Sequence, residues 1–126
     1  MKKQIEAVKL FHEKFLVKNE VEPIANIPDY ELRYNLMQEE NNEYLEACKN
    51  GDLVEIADAL GDKLYILCGT ILRHGLQNKI EEVFNEIQRS NMSKLDKEGN
   101  PIFREDGKIL KSELYTRPDI KKIICK

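Results

Sequence analysis

The chain has 126 residues, 41% hydrophobic and 34% charged, with a net charge of −3, enough for one core hiding roughly two thirds of its unfolded surface and too little for two full domains. That composition excludes disorder, collagen and a disulfide scaffold. No apolar run approaches the ~20 residues that cross a bilayer, and Met1-Lys2-Lys3 opens an amphipathic pattern instead of a signal peptide, so a cytoplasmic protein without a membrane role is expected.

Residues Lys2 to Asn19 place Ile5, Val8, Phe11, His12 and Phe15 at helical spacing, which predicts a first helix. Val21 to Pro28 contains two prolines and breaks the period, after which Asp29 is placed to cap a second helix reaching about Lys49. Asn50 and Gly51 stop it, Asp52 caps a third helix from Leu53 to His74, and Gly75 supplies a left-handed stop. A fourth runs from Gln77 to about Asn91. Beyond it, Ile102 to Leu110 reads as two short strands around an Asp-Gly turn, and Ile120 to Lys126 as an extended tail or short helix. The expected fold is all-α: an antiparallel bundle of about four helices over residues 2–92, then an irregular tail with a hairpin over 93–126, in one domain.

Charge is uneven along this frame. Residues 1–88 carry −7 and 89–126 carry +4, an arrangement that suits a metal on the body and an anionic ligand on the tail, and equally an ordinary soluble surface. The basic tail has no nucleic-acid-binding motif, so no nucleic-acid polymer is expected as partner. Cys48, Cys68 and Cys125 are odd in number and lack metal-knuckle spacing, which predicts reduced thiols.

The informative anomaly lies in the second and third helices. With Leu32 at zero and 100° per residue, Leu36, Ala47, Tyr44 and Met37 fall between roughly 40° and 140°, an arc expected to face the core, yet Glu40 falls at roughly 80° and Glu43 at roughly 20°. The third helix is apolar almost all round, but Glu55, Asp58 and Asp62 share a stripe about 60° wide. Aligned like charges repel, and a buried carboxylate without a partner costs several kcal/mol. Arg33 alone among the cations of these helices shares the acidic face. One arginine does not neutralise five acids, whereas a hard divalent cation such as Mg²⁺, with Mn²⁺ as substitute, prefers carboxylate oxygens. A solvated bundle edge is the alternative, and it is the usual fate of a lone Glu-x-x-Glu.

Written out, Glu39-Glu40-Asn41-Asn42-Glu43 followed by Glu55-Ile56-Ala57-Asp58 resembles the paired acidic signature of the all-α nucleoside triphosphate pyrophosphatases. That superfamily includes MazG-like proteins, phosphoribosyl-ATP pyrophosphohydrolases and dimeric dUTPases. Phe11-His12, Leu32-Arg33, Asp58-Ala59-Leu60-Gly61-Asp62, Ser90-Asn91-Met92-Ser93-Lys94 and Asp106 to Lys111 with Pro118-Asp119 are similar to a phosphoribosyl-ATP pyrophosphohydrolase-like branch.

The resemblance implies Mg²⁺-dependent release of pyrophosphate and a nucleoside monophosphate from a nucleotide, as in pool cleansing, with phosphoribosyl-ATP hydrolysis in histidine synthesis or a non-catalytic metal-binding interaction module as alternatives. By motif position Glu40, Glu43, Glu55 and Asp58 become metal ligands, with Asp62 a further ligand or an acceptor beside them. Glu39 or Glu40 becomes the general base. Asn91 and Lys94 are expected to reach phosphate or sugar, with Lys108, Lys111, Arg33 and His12 as further substrate residues; Phe11 and His12 are equally suited to packing, and the lysines to an ordinary surface. Because the third helix is apolar on nearly every side, a homodimer or homotetramer is expected.

Overall fold

The computed structural model describes residues 1–126. The chain is all-α apart from one small hairpin: α1 Lys2–Lys14, α2 Tyr30–Lys49, α3 Leu53–Arg73, α4 Ile80–Met92, β1 Ile102–Phe103, β2 Ile109–Leu110 and α5 Ile120–Ile124. It forms two compact bodies, Met1–Asn78 and Lys79–Lys126.

In the first body α2 and α3 make an antiparallel pair. Asn41 meets Lys63, Arg33 meets Thr70 and Asp29 meets Arg73, so the two helices run in opposite directions. Asp52 starts α3 by accepting the Glu55 N–H at 3.1 Å, the predicted cap. At the other end Gly75, at φ +66°, allows its N–H to bond Leu72 and that of Leu76 to bond Ile71, closing the helix in a Schellman motif. A side chain at Gly75 would also collide with the Glu22 carbonyl.

Helix α1 lies on α3, and Ile5, Val8, Ala59, Cys68, Ile71 and Leu72 form the centre of the core. Phe11 stacks on Phe15 at 4.3 Å between ring centroids and meets Tyr65 edge-on at 5.6 Å. The first helix is shorter than its periodicity predicts. It ends at Lys14 rather than Asn19 because Leu16 takes φ +59°, letting the Val17 N–H reach the His12 carbonyl at 2.8 Å. A leucine in that conformation is uncommon, and nothing in the sequence announces it.

The segment after Leu16 crosses the C-terminal end of α3, where Glu20 N–H bonds Leu72 and Ile24 N–H bonds His74. Asp29 stands at the N-cap of α2 but makes no side-chain cap bond. Its carboxylate is drawn instead to the buried Arg73 guanidinium, which also donates to the Lys18 carbonyl. The fully charged pair outcompetes a single backbone N–H.

In the second body the two strands pair antiparallel, Ile102 with Leu110 and Phe103 with Ile109, around the predicted Asp106-Gly107 turn. Ser93 and Ser112 tie the segment after α4 to the segment after the hairpin: Ser112 Oγ donates to Leu95, and Ser93 Oγ accepts from Thr116. Arg89 of α4 bonds Glu86 and Thr116. The tail resolves as α5, capped by Asp119 and packed through the buried Ile123.

Candidate metal centre

Antiparallel pairing of α2 with α3 sets Glu40 and Glu43, one turn apart, opposite Asp62. Oxygen atoms of the three carboxylates all lie within 4.8 Å of one another. Glu40 is half-buried; one of its carboxylate oxygens, Oε2, is inaccessible to solvent and has no hydrogen-bond partner. Its pKa is pushed up from 4.5 to about 7, first by this burial, then by the Glu43 carboxyl that hydrogen-bonds it, and then by the charges of Glu43, Asp62 and Asp58.

Glu43, Asp62, Asp58 and Glu55 are exposed. Of the two acids expected on the core-facing arc of α2, Glu40 is half-buried and Glu43 is exposed. On α2 the arc expected to face the core is likewise only partly covered: Ala47 is buried, Leu36 and Met37 are half-buried, and Leu32 and Tyr44 are exposed. Within this body α1 packs on α3 rather than over the acidic edge of the pair, and so the carboxylates converge at a rim instead of an interior.

The two signature motifs meet on that rim. Glu43 and Glu55 together with Glu46, Ala47, Asn50 and Asp52 line a depression of about 330 Å³, and Asp58 lies close enough to act on Glu40. None of the five acids forms an ion pair. The neighbouring cation, Lys63, donates to Asn41 Oδ1 at 2.9 Å.

Arg33 is buried and spends its donors elsewhere, on Thr70 Oγ1 at 3.1 Å and the Ile66 carbonyl at 2.9 Å. His12 is also buried, with Nδ1 2.6 Å from Asn19 Oδ1. Both side chains approach α3 at Gly69, where a Cβ would stand 2.6 Å from Arg33 Nη2 and 2.9 Å from His12 Nε2. Gly69 belongs to no motif in the sequence, although a glycine inside a long apolar helix is costly enough to signal a close approach. Asn41 and Asn19 give no such signal, their partners lying 22 and 7 residues away.

Asn91, Lys94, Lys108 and Lys111 belong to the second body. Asn91 is exposed in the last turn of α4, and its carbonyl accepts the Lys94 N–H at 3.1 Å. Lys108 lies in the hairpin turn with its N–H on Asp106, and Lys111 Nζ sits 4.7 Å from the centre of the Tyr115 ring. Glu39 is exposed and outside the carboxylate cluster.

An all-oxygen donor set, one member of which has a buried oxygen with no partner, fits a hard divalent cation and not zinc, for which neither histidine is near enough to be counted in the cluster. The fold and this centre define an all-α pyrophosphatase-type helical protein. The model of the family "phosphoribosyl-ATP pyrophosphohydrolase" matches residues 8–91, and the chain belongs to that family, within the all-α nucleoside triphosphate pyrophosphatase superfamily. Its members are pyrophosphohydrolases and generally metal-dependent. No curated protein matches the chain.

Proposed function

We propose that this protein is a Mg²⁺-dependent nucleoside triphosphate pyrophosphohydrolase, releasing pyrophosphate and a nucleoside monophosphate and serving nucleotide-pool cleansing in the cytoplasm. The observation that carries this reading is the convergence of Glu40, Glu43 and Asp62 without any cationic partner, at a carboxylate held protonated to about 7. Glu40, Glu43, Glu55 and Asp58 would hold the metal, with Asp62 as a further ligand or an acceptor beside it. When bound, the ion supplies positive charge that polarises the attacking water and neutralises phosphate oxygens.

Two carboxylates are suited to take the proton from that water. Glu39 is exposed and free of the cluster, and Glu40 stands within it. Asn91 and Lys94 supply a neutral donor and a charge of the kind that phosphate or sugar requires, and Lys108 and Lys111 supply further charge. Arg33 and His12, held at Gly69, fix the α1, α2 and α3 segments that border the nucleoside. Residues 1–126 act as one functional domain in a homodimer or homotetramer, because α3 leaves leucines exposed that one protomer does not cover.

Phosphoribosyl-ATP is the second substrate reading, favoured by the description of the matching family. Pyrophosphate release from a panel of nucleoside triphosphates and phosphoribosyl-ATP, with Mg²⁺ and with the Glu40→Gln and Asp58→Asn variants, separates these readings. Full turnover by both variants would eliminate the catalytic role of the centre. Stabilisation by calcium with no hydrolysis of any nucleotide would favour a metal-binding interaction module instead.

A further inference from the structure

A single side-chain hydrogen bond joins α2 to α3 at the level of the acids. Lys63, which directly follows Asp62, donates at 2.9 Å to Oδ1 of Asn41, which directly follows Glu40. The other side-chain bonds between the two helices, from Arg33 to Thr70 and the Ile66 carbonyl, begin eight residues nearer the α2 N-terminus, about 12 Å away. From Asn41 to Lys49 on α2 and from Leu53 to Lys63 on α3, the buried side chains are Ala47 and Ala59 alone. Alanines let two backbones approach but contribute little apolar area to hold them there. Along this stretch the acids oppose the approach. Oxygen atoms of Glu40, Glu43 and Asp62 lie within 4.8 Å of one another, none of these residues has an ion-pair partner, and like charges so placed repel.

On a helix turning roughly 100° per residue, Glu43 lies about 60° to one side of Glu40 and Asn41 about 100° to the other; on α3, Asp58 lies about 40° to one side of Asp62 and Lys63 about 100° to the other. Because the helices are antiparallel, the two senses of rotation match, so the acids share one edge of the α2–α3 seam and Asn41 and Lys63 share the opposite edge. We infer that the Asn41–Lys63 bond is a positioning contact for the metal centre, tying α2 to α3 behind Glu40 so that the acids of both helices stay close enough to take one cation together. This rests on the metal-binding reading proposed above. Neither residue is a ligand: asparagine and lysine act here through the helices that carry Glu40 and Asp62. The charge of Lys63 works the other way, since a positive group beside the centre weakens its attraction for a second cation. Removing Lys63 therefore has opposite effects on metal affinity according to whether its bond or its charge matters more.

The test uses the full chain with Mn²⁺ alone as the probe, its Kd read from the electron paramagnetic resonance signal of the free ion and compared at equal helicity by circular dichroism. Asn41→Leu removes the acceptor and leaves the charge; Lys63→Met removes donor and charge together. Each should weaken Mn²⁺ binding by about three- to tenfold, the scale of one ordinary hydrogen bond. The double variant should bind no more weakly than the weaker single variant, because the two side chains act as one contact. A bond that serves folding alone would lower the urea midpoint and leave the Mn²⁺ Kd of the folded chain where it was. A purely electrostatic Lys63 would give tighter binding in Lys63→Met and no change in Asn41→Leu. Either result, or losses that add in the double variant, overturns the positioning role while leaving the metal centre standing. A wild type that takes up no Mn²⁺ overturns the metal reading itself and the positioning role with it.

Discussion

Replacing Glu40 by glutamine is expected to stabilise the metal-free protein while abolishing its response to metal. In the fold, the proton on Glu40 is held to about pH 7 against an ordinary 4.5, so near pH 8 the ionised side chain carries a penalty of ~3 kcal/mol before solvent screening. Because the group is only half-buried and part of its neighbours' charge is screened by water, about 1–2 kcal/mol is the realistic share. Glutamine keeps the shape and removes the charge, and its amide can donate to Glu43 or Asp62. At roughly 3–5 °C per kcal/mol for a chain of this size, the metal-free melting temperature should rise by about 3–10 °C at pH 8. The wild type should recover that difference with Mn²⁺ or Mg²⁺, since metal at a hundredfold excess over its Kd contributes about 2.7 kcal/mol; the variant should gain little. Differential scanning calorimetry with and without metal reads both effects. The sign also sets a pH profile. The folded state binds this proton more tightly than the unfolded one, so metal-free stability falls as pH climbs from 4.5 to about 7. A variant less stable than wild type without metal, or one that keeps the full metal-induced shift, would refute the electrostatic argument.

Three further outcomes follow from ion pairs and close packing within each body. Asp29→Asn removes the charge opposite Arg73, whose side chain is 5% exposed, and should cost about 2–3 kcal/mol in urea unfolding; a loss below about 0.5 kcal/mol would show the pair to be a surface ornament. Gly69→Ala should destabilise by about 1–3 kcal/mol through the clash with Arg33 and His12, against the gain of nearly 1 kcal/mol that helix propensity alone predicts, so a rise in melting temperature would mean that the two side chains are free to move. Glu86 has its pKa drawn down to about 2 by Arg89 and by the Asp119 N–H. Its contribution is complete above the ordinary 4.5 and is lost as pH falls toward 2, so the hydrogen-exchange protection factors of Ile120 to Cys125, corrected for the intrinsic rate, should fall over that window and should already be reduced at pH 5 in Glu86→Gln; uniform protection factors down to pH 2 would contradict it.

Helix boundaries were legible wherever the stop is a chemical one. Gly75 and Asp52 announce themselves because a left-handed residue and a side-chain cap are local demands that few residue types meet. The end of α1 was not legible, since leucine is not a residue type that favours the left-handed conformation Leu16 adopts, and the role of Asp29 was mistaken because its partner Arg73 lies 44 residues away. The depth of the acidic residues was only partly legible. Helical periodicity fixes the angle of a side chain about its own axis, but not whether another element lies beyond it. Glu40, near the middle of the apolar arc of α2, is the acid that loses solvent; Glu43, at the arc's edge, stays wet, as do the three acids of α3.

That difference in depth is itself useful to a site that must accept and release a charged ligand. A fully buried cluster of five acids would carry a desolvation penalty of several kcal/mol per ion and would have to unfold locally to exchange its cation. At the rim, four of the carboxylates remain hydrated, and the penalty is confined to Glu40, which escapes it in the metal-free state by keeping its proton. On the proposed metal-binding reading a cation would take the place of that proton on Glu40, while the exposed neighbours leave room for water and phosphate around it.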